Sequence, residues 1–307
     1  MKIPLSVVPT EDKIHIIYNR NIIELHSPIE YKLYSYVEPP ERIQKIAVSC
    51  IQKKMTNPFI IKGSVLLQEN VWVLSFKKVE DYIFAKQKFR AGRGIDAIEQ
   101  IYAECPESYM DYPNTEELNI LYIDIETASD GGAMFPNAER APILSIGYAI
   151  NDEEIKTIDC DTISGEISDK ELCKQWYNII IENNPDIIVT YNGLTFDIPY
   201  INKRCEINNI DINPLSRIES DKKYNGRLHF DLYWDAAERD TTLTTKGLSD
   251  RKMKTVAKSY NIDIGLELEH DELKNLKKLW TTNREKILTY LHSDVHITRE
   301  LSRQVYL

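Results

Sequence analysis

From residue 118 onward the apolar positions come in short, β-branched runs separated by acids and turn formers. NILYIDIE (119–126), PILSIGYAI (142–150) and EIKTIDC (154–160) each read as strands, with Asn151-Asp152 as a hairpin turn between the last two. Residues 169–184 change period. Leu172, Trp176, Ile179 and Ile180 fall on one helical face, and Pro185 closes it. DIIVTYN (186–192) is a fourth strand, followed by a helix over 197–206. KKYNGRLHFDLY (222–233) carries an Asn-Gly turn between short strands, and helices over about 246–260, 270–280 and 283–305 complete the chain. Upstream, HIIYN (15–19), NIIEL (21–25), YKLYSYV (31–37) and VWVLSF (71–76) are strand-like, and 79–103 has a helical period. The stretch CPESYMDYPNTEE (105–117), rich in Pro, acids and turn formers, separates the two parts. The expected organisation is a small α+β domain over 1–112 and an α/β domain over 113–307.

Composition narrows this picture only a little. The length of 307 residues suits two domains, and 42% hydrophobic with 28% charged residues is an ordinary globular balance. No apolar run approaches a membrane span and the start lacks a signal-peptide core, so a cytoplasmic setting is expected. The five cysteines, Cys50, Cys105, Cys160, Cys173 and Cys205, are scattered and never spaced C-x-x-C. That speaks against disulfides and zinc, and for small buried hydrophobes in a reducing compartment. The net charge of −10 is unlike that of a nucleic-acid-binding protein, but local basic surface and bound cations matter more than the total. Basic clusters occur at Lys77, Lys78, Lys86, Lys88, Arg90 and Arg93, and at Arg251, Lys252, Lys254 and Lys258. Each reads equally well as a solvated helix face.

Four acidic residues in three stretches carry chemistry. Asp124 and Glu126 are two apart in an apolar strand, so they share a face with Cα atoms roughly 6.8 Å apart. Two carboxylates there repel and are costly to desolvate unless a cation neutralises them. A hard divalent ion, Mg²⁺ or Mn²⁺, suits an all-oxygen set; a strand end reaching water is the plain alternative. Asp197 follows the fourth strand in Tyr191-Asn192-Gly193-Leu194-Thr195-Phe196-Asp197 and opens a helix. Ligands gather at the carboxyl ends of such strands, although a simple helix cap reads as well. Asp294 stands four residues after Tyr290 in the last helix, so phenol and carboxylate share a face.

Together, D-I-E-T, Y-N-G-x-x-F-D-x-P-Y-I and Y-x-x-x-D resemble the three exonuclease motifs of the family B DNA polymerases, whose proofreading domains are DEDDy exonucleases. The resemblance covers 119–307, with supporting text in Phe135-Pro136, NPDIIVTYN (184–192) and GRLHFDLY (226–233). It implies a ribonuclease H-like mixed sheet with flanking helices, matching the order meander, crossover helix, strand, helices. It also implies two-metal hydrolysis of phosphodiester bonds at a 3′ end. Asp124, Glu126, Asp197 and Asp294 would hold two Mg²⁺ or Mn²⁺ ions, with Asp124 shared between them, and Tyr290 would orient the attacking water. Asn192, Phe196 and Thr127 would hold the frayed 3′ nucleotides, and Asp231 would be structural support. The implied substrate is a single-stranded 3′ end or primer-template DNA, and the implied partners are the remaining polymerase domains or subunit.

Two features depart from the family pattern. The chain stops thirteen residues after Asp294 with no palm signature, so a fragment, a split-gene product and a stand-alone exonuclease for repair or RNA processing all remain open. Thr289 occupies the position where histidine-type relatives carry their base, and His292 and His296 lack that spacing, which selects the tyrosine type. A catalytically silent nucleic-acid-binding module is the minor alternative, since all four acids are present. The Lys/Ile/Asn-rich composition points to an AT-rich genome such as a phage's.

Overall fold

In the computed structural model the chain divides into two compact units, Met1–Leu118 and Asn119–Leu307. The structure describes residues 118–129, 136–163, 166–218, 224, 226–234 and 248–305, with the backbone of six strands in the first unit. Those six strands form two antiparallel sheets. The first is ordered β1-β2-β3 (Ser6–Pro9, Lys13–Tyr18, Asn21–His26) and the second β4-β6-β5 (Tyr31–Tyr36, Val71–Phe76, Phe59–Lys62). Strands β1 and β5 carry no clear alternation and were not expected from the sequence pattern. The helical period over 79–103, the cluster Lys77–Arg93, and Cys50 and Cys105 lie outside the described residues.

The second unit is built on a five-stranded mixed sheet ordered β13-β12-β7-β8-β9. Its strands are β7 (Ile120–Thr127), β8 (Ile143–Ile150), β9 (Lys156–Asp159), β12 (Ile187–Thr190) and β13 (Leu228–Asp231). β7 is central, antiparallel to β8 and parallel to β12. A central strand hides both faces, and seven of its eight residues are buried, Asp124 being the exception. A small hairpin of β10 (Asp161–Ile163) and β11 (Glu166–Ser168) follows β9. Its three-residue strands are too short to show a period.

Helix α1 (Lys170–Asn183) buries Leu172, Cys173, Trp176, Ile179 and Ile180 and ends at Asn184 in the left-handed conformation. Helix α2 (Asp197–Ile207) packs against it. The two are joined by Arg204, whose guanidinium donates to both oxygens of Asp169 at 2.6 and 2.9 Å. The same carboxylate accepts from Ile143 N and Asn208 Nδ2. The described cysteines, Cys160, Cys173 and Cys205, are free and buried.

The C-terminal third holds α3 (Met253–Ser259), α4 (His270–Lys274), α5 (Leu276–Thr282) and α6 (Arg284–Val305). One helix was expected over 270–280; two are found. Ser129 separates them: its hydroxyl donates to Leu273 O at 3.0 Å and accepts from Leu276 N, while its carbonyl accepts from Lys277 N. A side chain inserted into the i→i−4 ladder breaks a helix. Helix α6 lies across β7 and β8. No helix among the described residues is long and apolar enough to cross a membrane.

Candidate metal centre and substrate groove

Asp124 and Glu126 share the face of β7 covered by α6, and a bulge opposite Glu126 and Thr127 shifts the register there. Bulges re-aim side chains and recur beside active sites. Asp294, on the covered side of α6, completes a set in which one carboxylate oxygen from each residue lies within 4.8 Å of the others. Asp197 is outside that set, but its charge is close enough to push the carboxyls of both Asp124 and Glu126 upward.

The electrostatics of the cluster are those of an acid nest that its surroundings compensate only in part. Burial, then repulsion from Asp197, Asp294 and Glu126, holds the Asp124 carboxyl well above its ordinary value. Glu126 is raised for the same reasons. Burial pushes Asp197 up to about 7, although the backbone N–H groups of Asp197 and Ile125 draw it back. Asp294 is raised to about 6 by burial, opposed by Lys254 and the Tyr290 hydroxyl. Tyr290 is itself held far above the usual phenol range by burial and by the carboxylates around it. At neutral pH it is therefore a hydrogen-bond donor, not a base.

The sequence left Lys254 open between a basic nucleic-acid surface and a solvated helix face, and the structure shows it largely buried beside the acids. Its side chain is only 14% exposed, with Nζ 3.3 Å from Asp294 Oδ1, 2.5 Å from Leu266 O and 4.1 Å from the Tyr290 ring centroid. An ammonium over a ring face is attracted by the ring quadrupole. Its charge draws the carboxyls of Asp124, Glu126 and Asp294 back toward their ordinary range. Its partner acid lies forty residues further along the chain, so no local spacing announces it.

The loop from Asn192 to Asp197 is shaped by its own residue types and by Asp231. Asn192 has φ 66°, a left-handed conformation that Asn tolerates. A Cβ on Gly193 would lie 2.5 Å from the Thr190 side chain, so only glycine fits there. Asp231 accepts hydrogen bonds from Asn192 N at 2.7 Å, Leu194 N at 2.9 Å and Tyr233 N at 3.1 Å. Beside this loop runs an open groove of about 460 Å³ lined by Pro136, Asn137, Asn192, Thr195, Phe196 and Tyr200, among others. Phe196 and Tyr200 meet there with ring centroids 5.4 Å apart. The Asn192 amide oxygen is engaged by Thr195 Oγ1 at 2.6 Å. Thr127 is buried close to the Tyr200 hydroxyl, which donates to Ala141 O at 2.7 Å. His292 and His296 are half-buried on α6 and outside the acidic set.

The donor set fits a divalent cation. All ligand atoms are carboxylate oxygens, and Asp294 Oδ1 is buried without an accepted hydrogen bond, the Lys254 ammonium 3.3 Å away being its one cationic contact among the described residues. Buried polar atoms are normally satisfied, and an oxygen-seeking cation would supply the missing partner.

A central strand bearing paired acids, in a mixed five-stranded sheet crossed by an acid-bearing helix, defines an α/β protein of the ribonuclease H-like type. The same fold is seen in the family B DNA polymerase of Pyrobaculum calidifontis, with a TM-score of 0.59 at 15% identity, covering 97% of this chain and 44% of that one. The model of the DNA polymerase family B exonuclease domain matches residues 63–250. The chain belongs to that family. Among curated relatives, the DNA polymerase of Pyrococcus glycovorans is 30% identical over 261 residues, 77% of this chain and 32% of the relative. That of Thermococcus gorgonarius is 25% identical over 320 residues, 94% of this chain and 39% of the relative. The chain thus spans about a third of the length of the polymerases it matches.

Proposed function

We propose that the protein removes nucleotides from the 3′ end of single-stranded or frayed DNA, as the proofreading exonuclease region of a family B DNA polymerase. The carrying observation is the convergence of Asp124, Glu126 and Asp294, with Asp197 beside them, in a family whose model is named for its exonuclease domain. Retention of all four acids speaks against a catalytically silent module.

Asp124, Glu126, Asp197 and Asp294 would hold two divalent ions, Mg²⁺ or Mn²⁺. Bound there, such ions activate water and stabilise the departing 3′ oxygen. The protein's own groups do the rest. Tyr290, protonated and four residues from Asp294, donates a hydrogen bond that orients the attacking water. Lys254 offsets part of the negative charge that a phosphate would otherwise meet. Phe196 offers its ring to the terminal base, with the buried Tyr200 ring packed against it, and stacking tolerates any base. Asn192 holds the strand at the groove's edge, while Thr127 supports it from below through Tyr200. A mispaired end is favoured because it frays at lower cost, not because its base is read. The DNA end and the remaining polymerase domains are the proposed partners.

The test is digestion of 5′-labelled single-stranded and blunt duplex DNA with Mg²⁺, with and without EDTA. Stepwise shortening from the 3′ end, faster on the single strand and abolished by EDTA, is expected. Shortening from the 5′ end, or full activity in EDTA, overturns the reading.

A further inference from the structure

Gly147 sits within β8 directly opposite Asp124. Opposed residues of an antiparallel pair project to the same face, so a side chain at 147 would point where Asp124 points, toward α6. A Cβ there would lie 2.8 Å from Leu291 Cγ and 2.9 Å from Val295 Cγ2. Both side chains are fully buried and have nowhere to retreat. Gly147 has no positive φ that would call for glycine, and glycine weakens a strand interior. What the position requires is space, and the residues that fill it flank Asp294 at i−3 and i+1 on the same helix.

We propose that Gly147 is a positioning residue of the metal centre. By lacking a Cβ it lets α6 approach the sheet closely enough for Asp294 to join Asp124 and Glu126. The inference rests on the metal-centre reading above. Ordinary carbon–carbon contact begins near 3.5 Å, so an added methyl would push the helix outward by about 0.7 Å. Mg²⁺ requires oxygen ligands at about 2.0–2.1 Å in near-octahedral geometry, and useful ligand distances vary by only about 0.2 Å. A shift of that size strands Asp294 while leaving the core filled.

Mn²⁺ binding to the metal-free protein, followed by electron paramagnetic resonance, reads this without relying on turnover. Gly147→Ala is expected to weaken binding at least ~10-fold, the scale seen when groups that orient metal ligands are lost. Its crystal structure should show α6 lifted from β8. The same change made in a Leu291→Ala/Val295→Ala background, where the space is already open, should cost nothing further in affinity or folding. Unchanged Mn²⁺ binding in folded Gly147→Ala overturns the proposal. So does a loss, of affinity or of folding, that the truncated background fails to abolish. Wild-type protein that binds no Mn²⁺ overturns the metal-centre reading instead, and the position of α6 in the alanine variant then still decides the spacing.

Discussion

Asp169 and Asp294 are both buried carboxylates that face one basic side chain, and the fold treats them in opposite ways. Asp169 is saturated, with two bonds from Arg204, one from Ile143 N and one from Asn208. Burial alone would raise its carboxyl, but those partners outweigh burial and hold it below the ordinary range. Asp294 has one ammonium at 3.3 Å, an Oδ1 that accepts no hydrogen bond, and Asp124 and Glu126 within a ligand's reach. It stays raised, at about 6. A carboxylate that ties elements together is given all its donors by the chain. Asp294, which we propose takes a metal ion from solution, is left short. Asp231 belongs with Asp169: its three backbone donors make it the anchor of the Asn192 loop.

The contrast breaks most visibly under alanine substitution. Asp124→Ala should lower exonuclease turnover at least ~10³-fold, about 4 kcal/mol of transition-state stabilisation, without lowering the melting temperature of metal-free protein. Removing one of several repelling acids relieves strain. Single-turnover rates and calorimetry check both halves, and activity within tenfold of wild type would sink the assignment.

Asp169→Ala should do the reverse. It leaves the Arg204 guanidinium buried and unpaired, which costs about 3–5 kcal/mol of stability. Mg²⁺ dependence of whatever folded fraction remains should be unaltered. Chemical denaturation of both proteins tests it, and a loss below about 1 kcal/mol would place Asp169 with the unsatisfied acids.

Tyr290→Phe sharpens the comparison within the site. It keeps the ring beneath Lys254 and deletes one charge-assisted hydrogen bond, worth roughly 1.5–3 kcal/mol. A kcat loss of about 10- to 200-fold follows, with Mn²⁺ affinity unchanged. Equal rates would retire Tyr290 from the mechanism and leave the carboxylates standing.

The smallest expected effect is on pH-dependent stability of the metal-free protein. Folded values of about 6 for Asp294 and about 7 for Asp197 exceed the unfolded aspartate value near 3.9. The folded state therefore holds extra protons between roughly pH 4 and 7, and stability falls as pH rises through that window. Asp169 has the opposite sign: its contribution is present above about pH 4 and is lost as pH falls through its depressed folded value. The melting temperature should decline by a few degrees from pH 5 to 8 in wild type, and less in Asp294→Asn. A flat profile would contradict the raised carboxyls.

Much of this was readable along the chain, for a physical reason. β7 and β8 are long β-branched runs, and α1 and α6 are long enough for a helical period to emerge, so their existence and type follow from local pattern. The spacing of Asp124 and Glu126 on one strand, and of Tyr290 and Asp294 on one helix, likewise needs only local geometry. Local pattern fails where the cause is distant. The break between α4 and α5 comes from Ser129, about 145 residues upstream.

By itself, then, the sequence determined the long strands and helices, the Asp124–Glu126 and Tyr290–Asp294 pairs and the glycine-bearing turn at Asn192-Gly193, because each depends on residues a few positions apart. Only the tertiary structure decided that Asp294 meets Asp124 and Glu126, because their meeting depends on how closely α6 approaches β8 at Gly147. Only there does Lys254 become a member of the site and not a surface cation. Its ammonium lies beside Asp294 and Tyr290 because α3 and α6 are brought together by packing, and no spacing along the chain encodes that distance.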